Sequence, residues 1–192
     1  MVQTEPLRGL IREVHEAGLL TDGHFAFRSG MHAMRVLDRD RLLSDTRLAS
    51  RMGYSLAKHF FLSRSDVVAA PSVWGAGLAQ WVGFFLDPNR PVVYSATANG
   101  QFVFSDNASD LIDGRRVLVI DNLVLTGRTT QDFVGAIESA GGTPIGLGAL
   151  ADLSGREFSV PSFGLLNPWL DIHDPSSCPG CASNTPLTEL EY

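Results

Sequence analysis

With 192 residues, 44% of them hydrophobic and 19% charged, the chain suits one domain with a full core and a small accessory flap. Its net charge of −6, with no basic run, excludes broad electrostatic attraction to nucleic acid or to an anionic membrane. The first residues, Met-Val-Gln-Thr-Glu-Pro, show no charged-then-apolar leader pattern, and no apolar run is long enough to span a bilayer, so a cytoplasmic protein is expected.

Leu7, Leu10, Ile11 and Val14 form one apolar helical face that ends at Gly18. In Gly23-His24-Phe25-Ala26-Phe27-Arg28-Ser29-Gly30, aromatic residues alternate with smaller or charged ones before a Ser-Gly turn, which predicts a short strand. Ser44-Asp45 then caps a helix with Leu48, Met52, Leu56 and Phe60 four residues apart. The strand Asp66-Val67-Val68-Ala69-Ala70 runs into Pro71-Ser72-Val73-Trp74-Gly75-Ala76-Gly77, and a helix carrying Leu78, Trp81, Val82, Phe85 and Leu86 follows. Read alone, this string is equally a plain strand-to-helix turn. Pro91-Val92-Val93-Tyr94 and Gln101-Phe102-Val103-Phe104 predict two further strands, and residues 95–100 between them have turn composition.

The most informative stretch is 116–130. Arg116-Val117-Leu118-Val119-Ile120 is apolar and β-branched without polar alternation, as a strand buried on both faces of a parallel sheet reads, and it is expected to end at Asp121. An apolar link leads to Thr126-Gly127-Arg128-Thr129-Thr130, then to a helix with Phe133, Val134, Ile137 and Ala140 that stops at Gly141-Gly142. A helix N-terminus presents unpaired N–H groups and partial positive charge, so a loop feeding into it binds phosphate. Gly127 permits close backbone approach, the threonine hydroxyls add donors, and the Asp121 carboxylate accepts from sugar hydroxyls, so the stretch suits a sugar phosphate. A strand-to-helix turn with a capping Thr is the plainer alternative. The Walker loop and the dinucleotide fingerprint are both absent. Ile145–Asp152 is the next buried strand, and the segment from Arg156 is rich in Pro and Ser. Strands alternating with helices argue for an α/β fold with a mainly parallel sheet flanked by helices, and two Gly-containing loops at strand ends favour a ligand crevice.

The two cysteines, Cys178 and Cys181, form a single Cys-x-x-Cys. That is half of a structural zinc site, which His173 and Asp174 could complete, but most such sites use two pairs, so zinc is not expected.

The 116–130 stretch resembles the ribose-phosphate signature of type I phosphoribosyltransferases, a hydrophobic strand, two acids, two apolar residues, then Thr-Thr-Gly-Gly and Ser or Thr. The 71–77 loop is similar to the pyrophosphate loop of that family, Gly-Pro-Ala-x-x-Gly-Ile-Pro. Gly23-His24-Phe25, Ser29-Gly30 and Arg35-Val36 resemble the N-terminal hood of orotate phosphoribosyltransferases, in which the last pair is Arg-Tyr, and Cys-Pro-x-Cys occurs near the end of some of them. The resemblance implies a hood from about residues 1–40 and 156–192 around a core of about 41–155. It implies phosphoribosyl pyrophosphate as a substrate, with Mg²⁺ brought by that substrate rather than held by protein ligands, a nitrogenous base as acceptor, and a homodimer. Asp121 and Asn122 fall at the catalytic positions. They also fall in the ribose-phosphate set with Thr126, Gly127, Arg128, Thr129 and Thr130. Ser72, Val73, Trp74 and Gly75 fall in the pyrophosphate loop, and Phe25, Arg28 and Leu153 at base-side positions, while His24, Phe25 and Phe27 read first as hood packing.

The departures from the family pattern cluster at the chemistry. Asn122 replaces the second acid, Arg128 the second Gly, and Trp74 a basic or small residue. Residues 95–104, where the family has a mobile catalytic loop rich in Lys and Arg, contain no Lys, Arg or His, and Ser105-Asp106-Asn107 stands where paired arginines are common. Leu153 follows Asp152 where orotate enzymes have Arg. Such a chain is expected to move ribose 5-phosphate to an acceptor other than orotate, with Arg28, Arg35 and Arg128 replacing the lost cations. Two alternatives are a regulator that binds phosphoribosyl pyrophosphate or a nucleotide, and a phosphorylase-like or hydrolytic enzyme acting on a ribosyl phosphate.

Overall fold

The computed structural model describes residues 5–167 and 170–190, with side chains from residue 9 on; the side chain of Leu7 therefore lies outside the described part. In chain order the elements are α1 (Glu5–Glu16), β1 (Leu20–Ala26), β2 (His32–Leu37), α2 (Arg39–Ser44), α3 (Thr46–Phe60), β3 (Val67–Ala70), α4 (Val73–Leu86), β4 (Val92–Tyr94), β5 (Ala96–Ala98), β6 (Gln101–Val103), α5 (Asp106–Ile112), β7 (Arg116–Val124), α6 (Arg128–Ser139), β8 (Thr143–Asp152), β9 (Ser162–Gly164), α7 (Pro179–Ala182) and β10 (Thr188–Glu189). They fall into two compact units. A core unit spans Asp45–Leu165, and a terminal unit takes the described residues up to Ser44 and from Leu166 onward.

The core unit is built on a five-stranded sheet in the order β4-β3-β7-β8-β9, every neighbouring pair parallel. Parallel strands need crossovers, and the helices that supply them cover both faces. Val67, Ala69, Val117 and Val119 pack with Ala108 and Ile112 of α5 and Phe133, Val134 and Ile137 of α6. On the opposite face, α3 lies flat because β8 carries glycines beneath it. A Cβ on Gly148 would come within 2.8 Å of the Phe60 ring and 2.9 Å of Ile120, and one on Gly146 within 2.9 Å of Phe60. Asp45 caps α3, its Oδ1 accepting from the N–H groups of Arg47 and Leu48 at 3.0 and 3.1 Å, and Leu48, Met52, Leu56 and Phe60 are all buried as their spacing predicts.

Four details differ from the sequence reading. Strand β7 runs on through Asp121 to Val124 because β8 pairs with it as far as Val124 opposite Asp152. Residues 95–104 form a β-hairpin, β5 antiparallel to β6, rather than a strand preceded by an irregular turn. Asn99 and Gly100, both at positive φ, close it as a two-residue turn. Ser105-Asp106-Asn107 opens a helix, with Ser105 Oγ accepting from Ala108 N–H at 3.3 Å. Finally, the segment from Arg156 to Leu165 belongs to the core unit, because β9 adds to the sheet beside β8 and ring stacking joins Phe163 to His59.

In the terminal unit, β1 and β2 form an antiparallel hairpin, and β10 joins β1 in parallel, giving the order β10-β1-β2. His32 and His173 exchange both backbone hydrogen bonds, at 2.9 and 2.7 Å, tying the C-terminal segment to β2. Asp174 caps a short 3-10 turn at Pro175–Ser177. Neither His173 nor Asp174 joins the cysteines. His24 and His32 do, against expectation, because the bulged hairpin and the Cys-x-x-Cys helix meet there.

Two measurements check the fold. Gly148→Val inserts a branched side chain where even a Cβ is too close, so denaturant melts should show a loss of about 1–3 kcal/mol. Arg116 donates through Nε and Nη2 to both oxygens of Asp66, each at 3.0 Å, and this hydrogen-bonded guanidinium lowers the Asp66 carboxyl to about 2. A depressed carboxylate stabilises the fold above its unfolded value of about 3.9, and that contribution is lost as pH falls toward 2. Because the pair is partly exposed, Asp66→Asn should cost no more than about 1 kcal/mol at pH 7, and should flatten the fall in stability between about pH 4 and 2.

Candidate functional site

The strand order carries a switch point between β3 and β7: the chain goes from β3 outward to β4 on one side, and from β7 outward through β8 to β9 on the other. In open parallel sheets, ligands bind outside the carboxyl ends of the strands where the order reverses. The helices that follow these two strands, α4 and α6, begin there.

Pairing of β3 with β7 stops at Ala69 opposite Val119, so β7 runs beyond its neighbour with one edge unpaired. Two side chains bond to the backbone of this extension. Asp121 Oδ1 accepts from Asn122 N–H at 2.8 Å, and Asn122 Oδ1 accepts from Leu123 N–H at 2.5 Å. Both residues are buried, Asp121 at 6% and Asn122 at 5% exposure. Asn122 Nδ2 is a buried donor without a partner among the described residues, a group that costs free energy unless a ligand accepts from it.

The first turn of α4 presses against this point. A Cβ on Gly75 would lie 3.0 Å from the Ile120 carbonyl oxygen and 3.4 Å from Asp121 Cα, so Gly75 sets how closely the helix approaches the acid. Sequence reading placed Ser72, Val73, Trp74 and Gly75 in a loop. They instead cap and open the helix: Ser72 Oγ accepts from Gly75 N–H at 3.3 Å, and its carbonyl accepts from Ala76 N–H at 2.9 Å. Val73 and Trp74 project outward, 79% and 42% exposed.

Gly127 is the N-cap of α6, at φ 72°, with no side-chain cap, so the helix's first N–H groups have no side-chain oxygen of the N-cap in front of them. Thr126, Arg128 and Thr129 are exposed around it, whereas Thr130 is buried at 1% exposure and belongs to the packing beneath the loop. Arg128 makes no ion pair or hydrogen bond among the described residues.

Sequence reasoning missed Arg156. A Cβ on Gly127 would come within 2.9 Å of Arg156 Cδ and 3.0 Å of the Phe158 ring, so the 154–158 segment packs against the loop and carries the aliphatic stem of Arg156 to Gly127. Asp152 shapes that turn, its Oδ1 accepting from Ser154 N–H at 3.2 Å and Oγ at 2.7 Å. The only clue in sequence was that Arg156 lies three residues past the position where Arg was looked for. Leu153 holds that position, half-buried, its N–H donating to the Val124 carbonyl at 2.8 Å. Phe25 and Arg28 belong to the terminal unit, on β1 and on the exposed turn after it. Arg35 is engaged rather than free, its Nε donating to Asp22 Oδ1 at 2.6 Å, and this hydrogen bond lowers the Asp22 carboxyl.

No protein-family model matches the chain. It is 31% identical over 175 residues to the orotate phosphoribosyltransferase of Thermus thermophilus, an alignment covering 90% of this chain and 94% of that protein. It is similar in fold to the crystal structure of orotate phosphoribosyltransferase from Aeropyrum pernix, with a TM-score of 0.65 and 21% identity over 81% of this chain and 92% of that one. The Mycobacterium tuberculosis H37Rv orotate phosphoribosyltransferase in complex with inorganic phosphate gives 0.62 at 18% identity, covering 84% and 95%.

If the α6 N-terminus cradles a phosphate, Thr129→Ala should weaken ribose 5-phosphate binding by roughly 1.5–3 kcal/mol in calorimetric titration, the magnitude of a hydrogen bond to a charged group. Thr130→Ala should instead lower the melting temperature, since its hydroxyl is buried. Unchanged affinity in Thr129→Ala would reduce the loop to a helix start.

Proposed function

Because the chain belongs to the orotate phosphoribosyltransferase family, we propose that it binds phosphoribosyl pyrophosphate at the β3/β7 switch point and transfers ribose 5-phosphate to a nitrogenous acceptor less anionic than orotate. The observation that carries this reading is that α4 and α6 both start at the carboxyl ends of adjacent parallel strands, β3 and β7, and that Gly75 lets the first turn of α4 approach the buried Asp121 on β7.

The 5-phosphate rests on the N–H groups of α6 and the hydroxyls of Thr126 and Thr129, with Arg128 and Arg156 supplying charge. The Asp121 carboxylate accepts from a ribose hydroxyl and opposes the positive charge that develops on the ring. Asn122 Nδ2 donates to ligand oxygen. In the reaction, the bond between the ribose anomeric carbon and the diphosphate oxygen breaks and its electron pair leaves with pyrophosphate. A lone pair of the acceptor nitrogen forms the new glycosidic bond, and any proton on that nitrogen is released. Asp121 and Asn122 offer the crevice one carboxylate and one amide, a set too small for a protein-held Mg²⁺ and suited to an ion that arrives chelated by substrate. Such an ion neutralises charge on the departing oxygens.

The acceptor preference rests on Leu153. An orotate carboxylate needs a fixed cation, usually a bidentate Arg, and a half-buried leucine desolvates it without compensation, typically at several kcal/mol. A second reading, a regulator that binds the same ligand without turning it over, is favoured by one feature: the β5–β6 hairpin lacks Lys, Arg and His altogether. For assembly we place a homodimer on the exposed aromatic cluster of α3 and α4, where Tyr54 meets Phe85 edge-on and Trp81 packs with Phe84 and Phe85.

Titration with phosphoribosyl pyrophosphate and Mg²⁺ should show binding that Arg156→Ala weakens about tenfold or more. Orotidine monophosphate formation should stay below about one turnover per second, and Leu153→Arg should raise orotate affinity; ordinary enzyme rates with orotate in the unmodified protein would sink the acceptor assignment. Binding without pyrophosphate release across a panel of bases would select the regulator. In sedimentation at micromolar concentration the protein should run as a dimer and Phe84→Glu as a monomer.

A further inference from the structure

Away from the crevice, the terminal unit brings four side chains of one chemical kind to a point. His24 on β1, His32 on β2, and Cys178 and Cys181 around α7 each direct one ligating atom into a space where all four atoms lie within 4.8 Å of one another. We infer that this is a structural zinc site, Cys178, Cys181, His24 and His32, which fastens the C-terminal segment to the N-terminal hairpin. It rests on no reading of the ribosyl chemistry.

The spacing fits the ion. A tetrahedral zinc with bonds of about 2.3 Å to sulfur and 2.0–2.1 Å to nitrogen holds its donors about 3.3–3.8 Å apart. Here Cys178 Sγ lies 3.4 Å and Cys181 Sγ 3.6 Å from His24 Nε2, Cys181 Sγ lies 3.3 Å from His32 Nδ1, and the two ring nitrogens are 3.0 Å apart. Moving the ring nitrogens apart by a few tenths of an ångström completes the tetrahedron. Two thiolates and two imidazoles in that arrangement select zinc over the harder divalent cations.

Three further observations belong to a built site rather than to chance packing. The outer nitrogen of His24, Nδ1, lies 2.9 Å from the Thr185 carbonyl and donates to it, which leaves Nε2 with a bare lone pair aimed at both sulfurs. Metal-binding histidines are held in this way by a carbonyl or carboxylate. The pairing of β1 with β2 shifts between Asp22 and Phe25, a bulge that re-aims the side chain between them, His24. Gly180 lies under the His24 ring so closely that a Cβ there would meet ring atoms at 2.5–2.9 Å, so the Cys-Pro-Gly-Cys turn receives the imidazole only with glycine at that place. His24, His32 and Cys178 are all more than nine-tenths buried, which keeps water from competing for the ion.

The full-length protein, purified under reducing conditions, should contain close to one zinc per chain by elemental analysis. After chelation it should take up one equivalent of Co²⁺, giving the visible bands of tetrahedral cobalt and a thiolate-to-metal charge-transfer band. Cys178→Ser and Cys181→Ser should each lose stoichiometric metal, and chelation should lower the melting temperature by roughly 5–10 °C. The cobalt titration of the unmodified protein decides the matter even where a variant misfolds. Protein that is metal-free as isolated and binds neither Zn²⁺ nor Co²⁺, or a Cys178–Cys181 disulfide in mass spectra of the non-reduced chain, overturns the assignment.

Discussion

Everything in the core unit hangs on the pairing of β7 with strands on both sides. It is matched with β8 from Arg116 to Val124 but with β3 only as far as Val119. The longer ladder extends the strand past the end of its shorter neighbour, and the residues that protrude are Asp121 and Asn122. A buried carboxylate and a buried amide are costly to place in a sheet unless their oxygens and nitrogens find partners. Here the oxygens accept from the backbone N–H groups of Asn122 and Leu123, and one amide donor is left for something else. The site is thus a by-product of unequal strand lengths at the switch point.

The proposed chemistry needs cations, and the segments where the sequence resemblance looks for them do not offer free ones. The hairpin of residues 96–103 carries no cation, and Arg35 is held by Asp22. The cations on which the proposed phosphate site draws are Arg128, exposed at the start of α6, and Arg156, whose aliphatic stem packs at Gly127. A guanidinium is well suited to such a place because its planar fork meets phosphate oxygens in pairs and its charge is never lost. Arg128 sits on a helix start, and Arg156 follows a turn braced by Asp152.

The terminal unit faces a different constraint. Its sheet has three strands, one of only two residues. Units of that size are commonly held by cross-links or metals because burial alone does not offset chain entropy. The convergence of two histidines and two cysteines on one side of the hairpin answers that need by joining residues more than 140 positions apart, as in the contact between Cys181 and His32.

The α/β alternation, the both-face burial of 117–120, the capped helix α3 and the glycine start of α6 were legible because each is written in local periodicity, capping and glycine placement. The reach of β7 beyond Asp121 was not, since a strand's end is set by how far its neighbour pairs, and β8 lies some twenty residues away. Arg156 was passed over for the same kind of reason: a search at one position cannot see a turn that folds a side chain back over Gly127. Cys178 and Cys181 showed in sequence only as half a site. Their partners lie at the other end of the chain, and nothing short of the fold of the hairpin, its bulge at His24 and the glycine beneath that ring could bring them together. Sequence determined most of the strands and helices, because those are local energies. Which distant side chains share a site was decided only by tertiary structure, because strand pairing and packing fix distances that no spacing along the chain encodes.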